Sequence, residues 1–168
     1  MTIDISVIVL THDEEANIEA CLASVAGWVR EIHVVDSGSR DRTLEIARRF
    51  TSLIHHHPFE NYSRQRNWAI DNLPIEGAWI LNLDADHRVT PDLRYLLMQK
   101  FSGALTPEVT GYLIPRRTVF MGRWIRHGGH YPVYQAVLFR SGHGRSEDRG
   151  YDQHYLVDGR TATLSAGL

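Results

Sequence analysis

The stretch Trp79–His87, WILNLDADH, runs from an apolar strand pattern straight into two aspartates separated by one alanine. Aspartate is depleted from strands and favoured in turns, so one reading is a buried strand that ends in an acidic surface turn. The other is a metal site. Two hard oxygen ligands suit magnesium or manganese, which take one or two carboxylates and fill the rest with water and substrate phosphate. On an extended backbone a spacing of two places Asp84 and Asp86 on the same side.

Outward from this strand, the first hundred residues alternate short apolar runs with helical patterns, the signature of a parallel sheet flanked by helices. ISVIVL, from about Ile3 to Leu10, is nearly continuous in apolar residues, as a strand buried on both faces should be. Ile18, Cys21, Leu22 and Val25 share one face of a helix. EIHVVD predicts a second strand, and Asp41 or Ser39 is placed to cap a helix over TLEIARRF. SLIHH predicts a short third strand, NYSRQRNWAIDNL a helix ending before Pro74, and AWILNLD the fourth strand. Thr90 and Pro91 are an N-cap and first-turn pair for PDLRYLLMQKF. Beyond Ser102 the pattern changes: GYLIPRRTVFMGRWI and YQAVLFR predict two strands with no long helix between them, hence mixed pairing. The last stretch predicts a glycine-rich loop and one more strand at YLVDG.

The chain has 168 residues, the length of one domain with a real core. Its net charge of −2 gives no global attraction to nucleic acid or to anionic membrane. The single cysteine, Cys21, cannot form an internal disulfide, which suits a reducing, cytoplasmic compartment. There is no charged leader followed by a long apolar run, and no window approaches the ~18 apolar residues of a membrane span.

In open α/β sheets ligands bind beyond the carboxyl ends of the strands. That rule gathers Thr11, His12 and Asp13 after the first strand, Asp36, Ser37 and Gly38 after the second, and Asp84 and Asp86 after the fourth along one rim. No Gly-x-Gly-x-x-Gly or Gly-x-x-x-x-Gly-Lys follows the first strand, so neither a dinucleotide fold nor a phosphate-binding loop is supported. A nucleotide on this rim would meet Asp36 and the first loop with its base and ribose, and a metal with its phosphates. The metal would serve as Lewis acid on a departing diphosphate.

SVIVLTHDEEANIEACLASV, IHVVDSGSRDRT, NYSRQRNWAI and WILNLDADHRVTPDL resemble, in order and spacing, the successive motifs of family 2 glycosyltransferases with the GT-A fold. With FMGRWIRHGGHYPVYQAVLFR they are most similar to the branch that includes lipopolysaccharide core β-glucosyltransferases. The resemblance implies a three-layer α/β/α sandwich with a mostly parallel central sheet and a short mixed C-terminal extension. It implies a single domain over 1–168, with a nucleotide-sugar half at 1–100 and an acceptor half at 101–168 that is truncated relative to its kin. The implied activity is inverting transfer from a nucleotide-sugar donor, a UDP-sugar, to a cell-envelope glycan or lipid-linked acceptor such as lipopolysaccharide core. The setting would be cytoplasmic, with peripheral contact at the inner membrane.

By position, the resemblance assigns Thr11, His12 and Glu14 to the nucleotide loop and Asp36 to the base. It assigns Gln65, Arg66 and Asn67 to a helix approaching the nucleotide, Asp84 to ribose or metal, and Asp86 to direct coordination of Mg2+ or Mn2+. A solvated helix face is the alternative for Arg66. His87 stands where the branch carries Glu, and Val137 where it carries Arg, while Gln135 is retained for the substrate. An inverting transferase needs a carboxylate to take the acceptor's proton. Gln153 stands where relatives have that Glu, so Asp148 is the first candidate base and Asp152 the second. Two further readings remain. One is a donor-site remnant without catalysis; the other is a nucleotidyltransferase, which THDEEANI disfavours because it lacks a basic glycine-rich loop.

Consecutive histidines on an extended chain point to opposite faces, so His55, His56 and His57 are expected not to chelate one ion. Arg116, Arg117, Arg123 and Arg126, interleaved with Phe120, Trp124 and Tyr131, could meet nucleic acid or an anionic membrane. The preferred reading has Trp124 and Tyr131 stacking on an acceptor sugar, the arginines meeting its phosphates, and no nucleic-acid partner.

Overall fold

The computed structural model describes residues 2–103, 106–125, 127–128, 131–148 and 154–168. Four parallel strands form one half of its central sheet: β1 (Ile3–Thr11), β2 (Val29–Asp36), β3 (Ile54–His56) and β4 (Trp79–Asp84). The other half holds β5 (Val109–Arg116), β8 (Val133–Arg140) and β11 (Arg160–Thr163). The strand order is β11-β5-β8-β4-β1-β2-β3, and β8 alone runs against the rest. Two short ribbons complete the strands, β6 (Val119–Phe120) with β7 (Arg123–Trp124), and β9 (Gly144–Ser146) with β10 (Tyr155–Val157).

Alternate residues of β1 serve opposite faces. Val7 and Val9 join a core with α1 (Ile18–Val25), α2 (Thr43–Ala47) and α4 (Pro91–Ser102), through Ile18, Leu22, Ile46, Leu93 and Leu97. Ile8 and Leu10 join the opposite core with Ala69 and Leu73, at the end of α3 (Tyr62–Asn72). Burial on both faces explains the near-continuous apolar run of β1. The result is the expected three-layer α/β/α sandwich with a mostly parallel sheet.

Local signals fix several ends. Thr90 accepts from the Leu93 amide at 3.2 Å ahead of Pro91, and Asn61 accepts from the Arg64 amide at 2.8 Å. The α2 helix stops at Ala47 rather than Phe50, because the Arg49 and Phe50 amides turn back to Ile46 and Ala47 in a tighter winding. Asp41 accepts from the Thr43 amide at 2.9 Å, whereas Ser39 is used elsewhere.

Two C-terminal expectations change. GYLIPRRTVFMGRWI is not one strand: β5 ends at Arg116, and Met121 and Gly122, with φ of 49° and 74°, turn the chain back on itself. The presumed glycine-rich loop contains β9, which pairs with β10, while the side-chain NH2 of Asn67 donates to the Ser146 carbonyl and its Oδ1 accepts from the Ser146 amide, both at 2.9 Å. The segment Arg160–Thr163 adds a parallel edge beside β5. Among the described residues no helix is long and apolar enough to cross a membrane.

Candidate active site

Parallel register makes the rim flush. Thr11 lies opposite Asp36, Leu10 opposite Asp84 and Asp36 opposite His56. The loops after β1 and β2 are then laced together. The Asp13 amide donates to Ser39 Oγ at 2.9 Å, the Glu14 amide to Thr43 Oγ1 at 2.7 Å and the Glu15 amide to Asp41 at 3.0 Å. In return Asp13 and Glu15 accept from the Arg40 and Arg42 amides. Asp13 holds φ at 51° to make this fit, and Glu14 accepts from Asn17 at 2.8 Å.

Asp36 is buried and accepts from the Gly38 amide at 2.8 Å, the Ser39 amide at 3.0 Å and the Ser39 hydroxyl. It shapes the turn from beneath, and Ser37 rather than Asp36 lines the cleft above. Gln65 donates to Ser37 Oγ and to the His57 carbonyl, both at 3.1 Å, and meets His57 Nδ1 at 2.8 Å. The three consecutive histidines part as expected: His55 lies on His33, His56 lies 3.9 Å from Asp36, and His57 stacks on Trp68.

Arg66 is not on a solvated helix face. It is 4% exposed, and its guanidinium donates to the Ile8 carbonyl at 3.2 Å, the Leu83 carbonyl at 3.1 Å and Asp84 Oδ1 at 2.8 Å. The helix α3 therefore turns Ser63, Gln65 and Arg66 inward where an ordinary amphipathic helix would bury apolar residues. Polar groups buried against strand ends are bonded because leaving them unpaired is costly.

The Asp-Ala-Asp pair does not lie on an extended strand. β4 ends at Asp84, and the His87 amide returns to the Asp84 carbonyl at 2.9 Å, forming a turn. The turn still brings ligand atoms of Asp84, Asp86 and His87 within 4.8 Å of one another. Asp84 Oδ1 is tied to Arg66, while Asp86 projects into solvent. His87 Nδ1 accepts the Asp84 amide at 3.2 Å, so Nε2 faces the two carboxylates at 3.9 and 4.0 Å. Burial, reinforced by the charges of Asp84 and Asp86, pushes the Cys21 thiol beneath this turn up to about 12.

Two clefts meet here. The first, about 350 Å3, is lined by Thr11, His12, Glu14, Ser37, Gln65, Asp84 and Asp86, with Phe59 and Tyr62 as members that sequence reasoning missed. Phe59 and Tyr62 are half exposed or more and meet edge to face at 5.0 Å. Two exposed aromatics in PFENY were the available signal. Thr11 Oγ1 is buried with no partner among the described residues, an unfilled position at this wall. The second cleft, about 440 Å3, shares Leu10, Tyr62 and Asp84 with the first and adds Arg66, His87, Gln135 and His154. Arg116, expected on the acceptor side, lines it too, and its unforeseen members include Asn82 and Tyr155. Asn82 is 1% exposed; its amide donates to the Val137 carbonyl at 3.2 Å, and its Oδ1 has no partner among the described residues. A polar residue inside an apolar strand was the signal. Burial pushes the Tyr155 hydroxyl up to about 12, against the nearby Arg66.

Trp124 and Asp148 line neither cleft. Trp124 meets Tyr131 edge to face at 4.8 Å and carries Arg117 at 4.6 Å over its ring. Asp148 is exposed, with its charge near Arg64. Asp152, like Gln153 and Arg126, lies outside the described residues.

The model of glycosyl transferase family 2 matches residues 6–156. The lipopolysaccharide core biosynthesis glycosyltransferase LpsC of Rhizobium meliloti is 28% identical over 79% of this chain and 55% of its own length. A glycosyltransferase of Rickettsia bellii is 34% identical over 56% of this chain and 31% of its own. The chain thus spans about half the length of LpsC and less of the Rickettsia relative. Among solved structures, the mannosyltransferase of Pyrobaculum calidifontis in complex with GDP-Man and Mn2+ superposes with a TM-score of 0.56 at 22% identity, over 70% of this chain and 36% of that one. TarS of S. aureus in complex with UDP gives 0.55 at 22% identity, over 84% and 47%.

Proposed function

This chain belongs to glycosyl transferase family 2 and has the GT-A fold, and from that premise we propose that it moves a sugar from a UDP-sugar to a cell-envelope glycan or lipid-linked acceptor, with inversion. One observation carries the proposal: Asp84 is shared by two clefts of similar size, one open at the nucleotide-side loops and one beside the mixed strands. Transfer needs two substrates meeting at one point, and Asp84 is where these volumes touch. Residues 1–100 would supply the donor side and 101–168 most of the acceptor side.

In this reading the first cleft holds the nucleotide. Phe59 and Tyr62 offer ring faces to the base, and Thr11 forms part of the wall beneath it. His12 and Glu14 border the ribose, while Asp36 and Gln65 hold the Ser37 turn against it. Asp36 would then act on the base through the turn it shapes or through its remaining lone pair. Asp86, with Asp84 beside it, fits a divalent cation: the oxygens are hard and the turn opens to the cleft. Mg2+ or Mn2+ held there would offset the diphosphate charge and ease its departure.

The acceptor would enter the second cleft, where Gln135 and Arg116 flank the path and Asn82 lies in the floor. Inversion requires a base on the acceptor hydroxyl, and Asp148 and Asp152 remain the proposed carboxylates. A second reading, donor binding without transfer, draws support from the lining of that cleft. Asp84, already paired with Arg66, is its only carboxylate among the described residues.

Thermal unfolding with UDP and Mn2+ tests the donor site. At a ligand concentration of roughly a hundred times Kd, binding adds about 2.7 kcal/mol, a rise in Tm of roughly 5–11 °C for a chain of this size. No rise at saturation would overturn the assignment. Turnover of UDP-glucose on lipopolysaccharide core separates the two readings, since a binding remnant gives the shift without product.

A further inference from the structure

Between Glu108 and Glu147 the sequence holds no acidic residue and six arginines: Arg116, Arg117, Arg123, Arg126, Arg140 and Arg145. On a chain of net charge −2 this is a sharp local asymmetry. Two of the six are used by the fold. Arg140 donates to the Val109 carbonyl and lies over Trp79, and Arg145 pairs with Asp71. Arg117 lies over Trp124 with Asp92 4.0 Å away. Arg116 and Arg123 are exposed, and no ion pair to either is found among the described residues.

Arg116 and Arg117 lead into the β6–β7 hairpin, and Arg123 lies within it. Val119, Phe120 and Met121 are consecutive and 63%, 66% and 87% exposed. Met121 and Gly122 both hold positive φ, the geometry of a tight two-residue turn, which sets Met121 at the apex and Phe120 beside it, paired with Arg123. Scattered exposed apolar residues are ordinary, but three in a row on a projecting tip mark a contact surface. A protein partner is a poor fit. Two strands of two residues offer far less than the ~800 Å2 per side of a stable interface. An apolar tip flanked by Arg116, Arg117 and Arg123 matches instead a lipid surface of anionic headgroups, where the tip enters the acyl boundary and the arginines stay with phosphates.

We infer that the β6–β7 hairpin is a wedge that docks this domain on an anionic lipid surface. Its position gives the docking a use. The hairpin follows directly on Arg116, which pairs with Val133, and Arg116, Val133 and Tyr134 all line the second cleft. Seating the tip in a membrane would present that cleft to headgroups at the same surface. This purpose rests on the acceptor reading of the cleft; the docking itself does not.

The test is flotation of the protein with vesicles of phosphatidylcholine alone or mixed with phosphatidylglycerol, with the UDP and Mn2+ melting shift measured in parallel. The protein is expected to float with anionic vesicles only, and less so as salt rises. Phe120→Ser with Met121→Ser should lower the partition about tenfold or more, and Arg123→Glu about fivefold or more. All variants should keep the nucleotide shift of the parent, which reports an intact donor site. Equal flotation with neutral vesicles, no flotation at all, or unchanged partition of the variants would overturn the inference. So would light scattering showing a dimer that Phe120→Ser dissociates, since the tip would then serve a second copy. Failure of the nucleotide shift alone would remove the enzymatic reading and leave the wedge standing.

Discussion

Replacing Arg66 by methionine separates two pictures of the helix α3. A solvated arginine on a helix surface changes stability by roughly 0.5 kcal/mol or less when replaced. The buried Arg66 bonds two strand carbonyls and one carboxylate oxygen, at 3.2, 3.1 and 2.8 Å. Methionine keeps much of the apolar stem and removes all three donors. Each strand carbonyl loses one hydrogen bond, at about 1 kcal/mol. Breaking a buried ion pair costs about 3–5 kcal/mol, but the Asp84 side chain is 48% exposed and water can replace part of what it loses. A total near 3 kcal/mol follows, or a fall in Tm of roughly 6–12 °C for a chain of this length. Arg66→Lys should recover less than half of this, because one ammonium cannot span acceptors on two strands. Urea unfolding measures the free energies, and UDP with Mn2+ then reports whether Asp84 keeps its place. A loss below about 1 kcal/mol, or a lysine variant as stable as the parent, would refute the buried clamp.

Asp86→Ala should abolish the UDP and Mn2+ melting shift while leaving unliganded stability within about 0.5 kcal/mol, since its side chain is 64% exposed; a retained shift places the cation elsewhere. Asn67→Leu strips the Ser146 backbone of two bonds and should cost about 2 kcal/mol, with faster amide exchange across β9 as its signature. Gly144→Ala should destabilise by about 1–3 kcal/mol, because a Cβ there would overlap the buried Phe139 ring; a neutral alanine would disprove that packing. Burial raises the Glu31 carboxyl, but bonds from the Ser6 hydroxyl, the Glu76 amide and His33 outweigh it and hold the group below its ordinary 4.5. A lowered folded value stabilises above the unfolded one, so this contribution should be whole above pH 4.5 and fade as pH falls below it. Glu31→Gln should flatten the acid limb of the stability curve, and an unchanged limb would contradict the network.

The parallel half of this fold is legible because local signals agree there with tertiary burial. Strand β1 is apolar on both faces since helices cover both, and Thr90, Pro91 and Asn61 act as caps within a few residues of where they sit. The C-terminal half is less legible because its strands are made by distant partners. Thr161 is in a strand because it pairs with Gly111 of the distant β5. The same distinction runs through the site. The strand-end rule finds Thr11, Asp84 and Asp86, since parallel register alone sets them on one rim. It misses Asn82 and Tyr155, which reach the second cleft from within strands. Asp36 lies on the rim as that rule expects, and its carboxylate also accepts from the turn that follows it.

His87 carries this reasoning to the metal. Proximity alone would make it a third ligand beside Asp84 and Asp86. Its hydrogen bonding argues otherwise. Nδ1 accepts the Asp84 amide, so in the neutral ring the proton resides on Nε2, and that nitrogen is the one facing the carboxylates. A ligating nitrogen must offer a lone pair, and histidine ligands ordinarily donate from their other nitrogen to a fixed acceptor. Here the other nitrogen meets a donor. The ring thus holds the turn through Nδ1 and turns the N–H of Nε2 toward the carboxylates at 3.9 and 4.0 Å, leaving the oxygens to take the cation. His87→Ala should therefore weaken the Mn2+-dependent melting shift only in part, while Asp86→Ala removes it. Equal and complete loss in both variants, with the unliganded proteins folded, would make His87 a ligand and the tautomer assignment wrong.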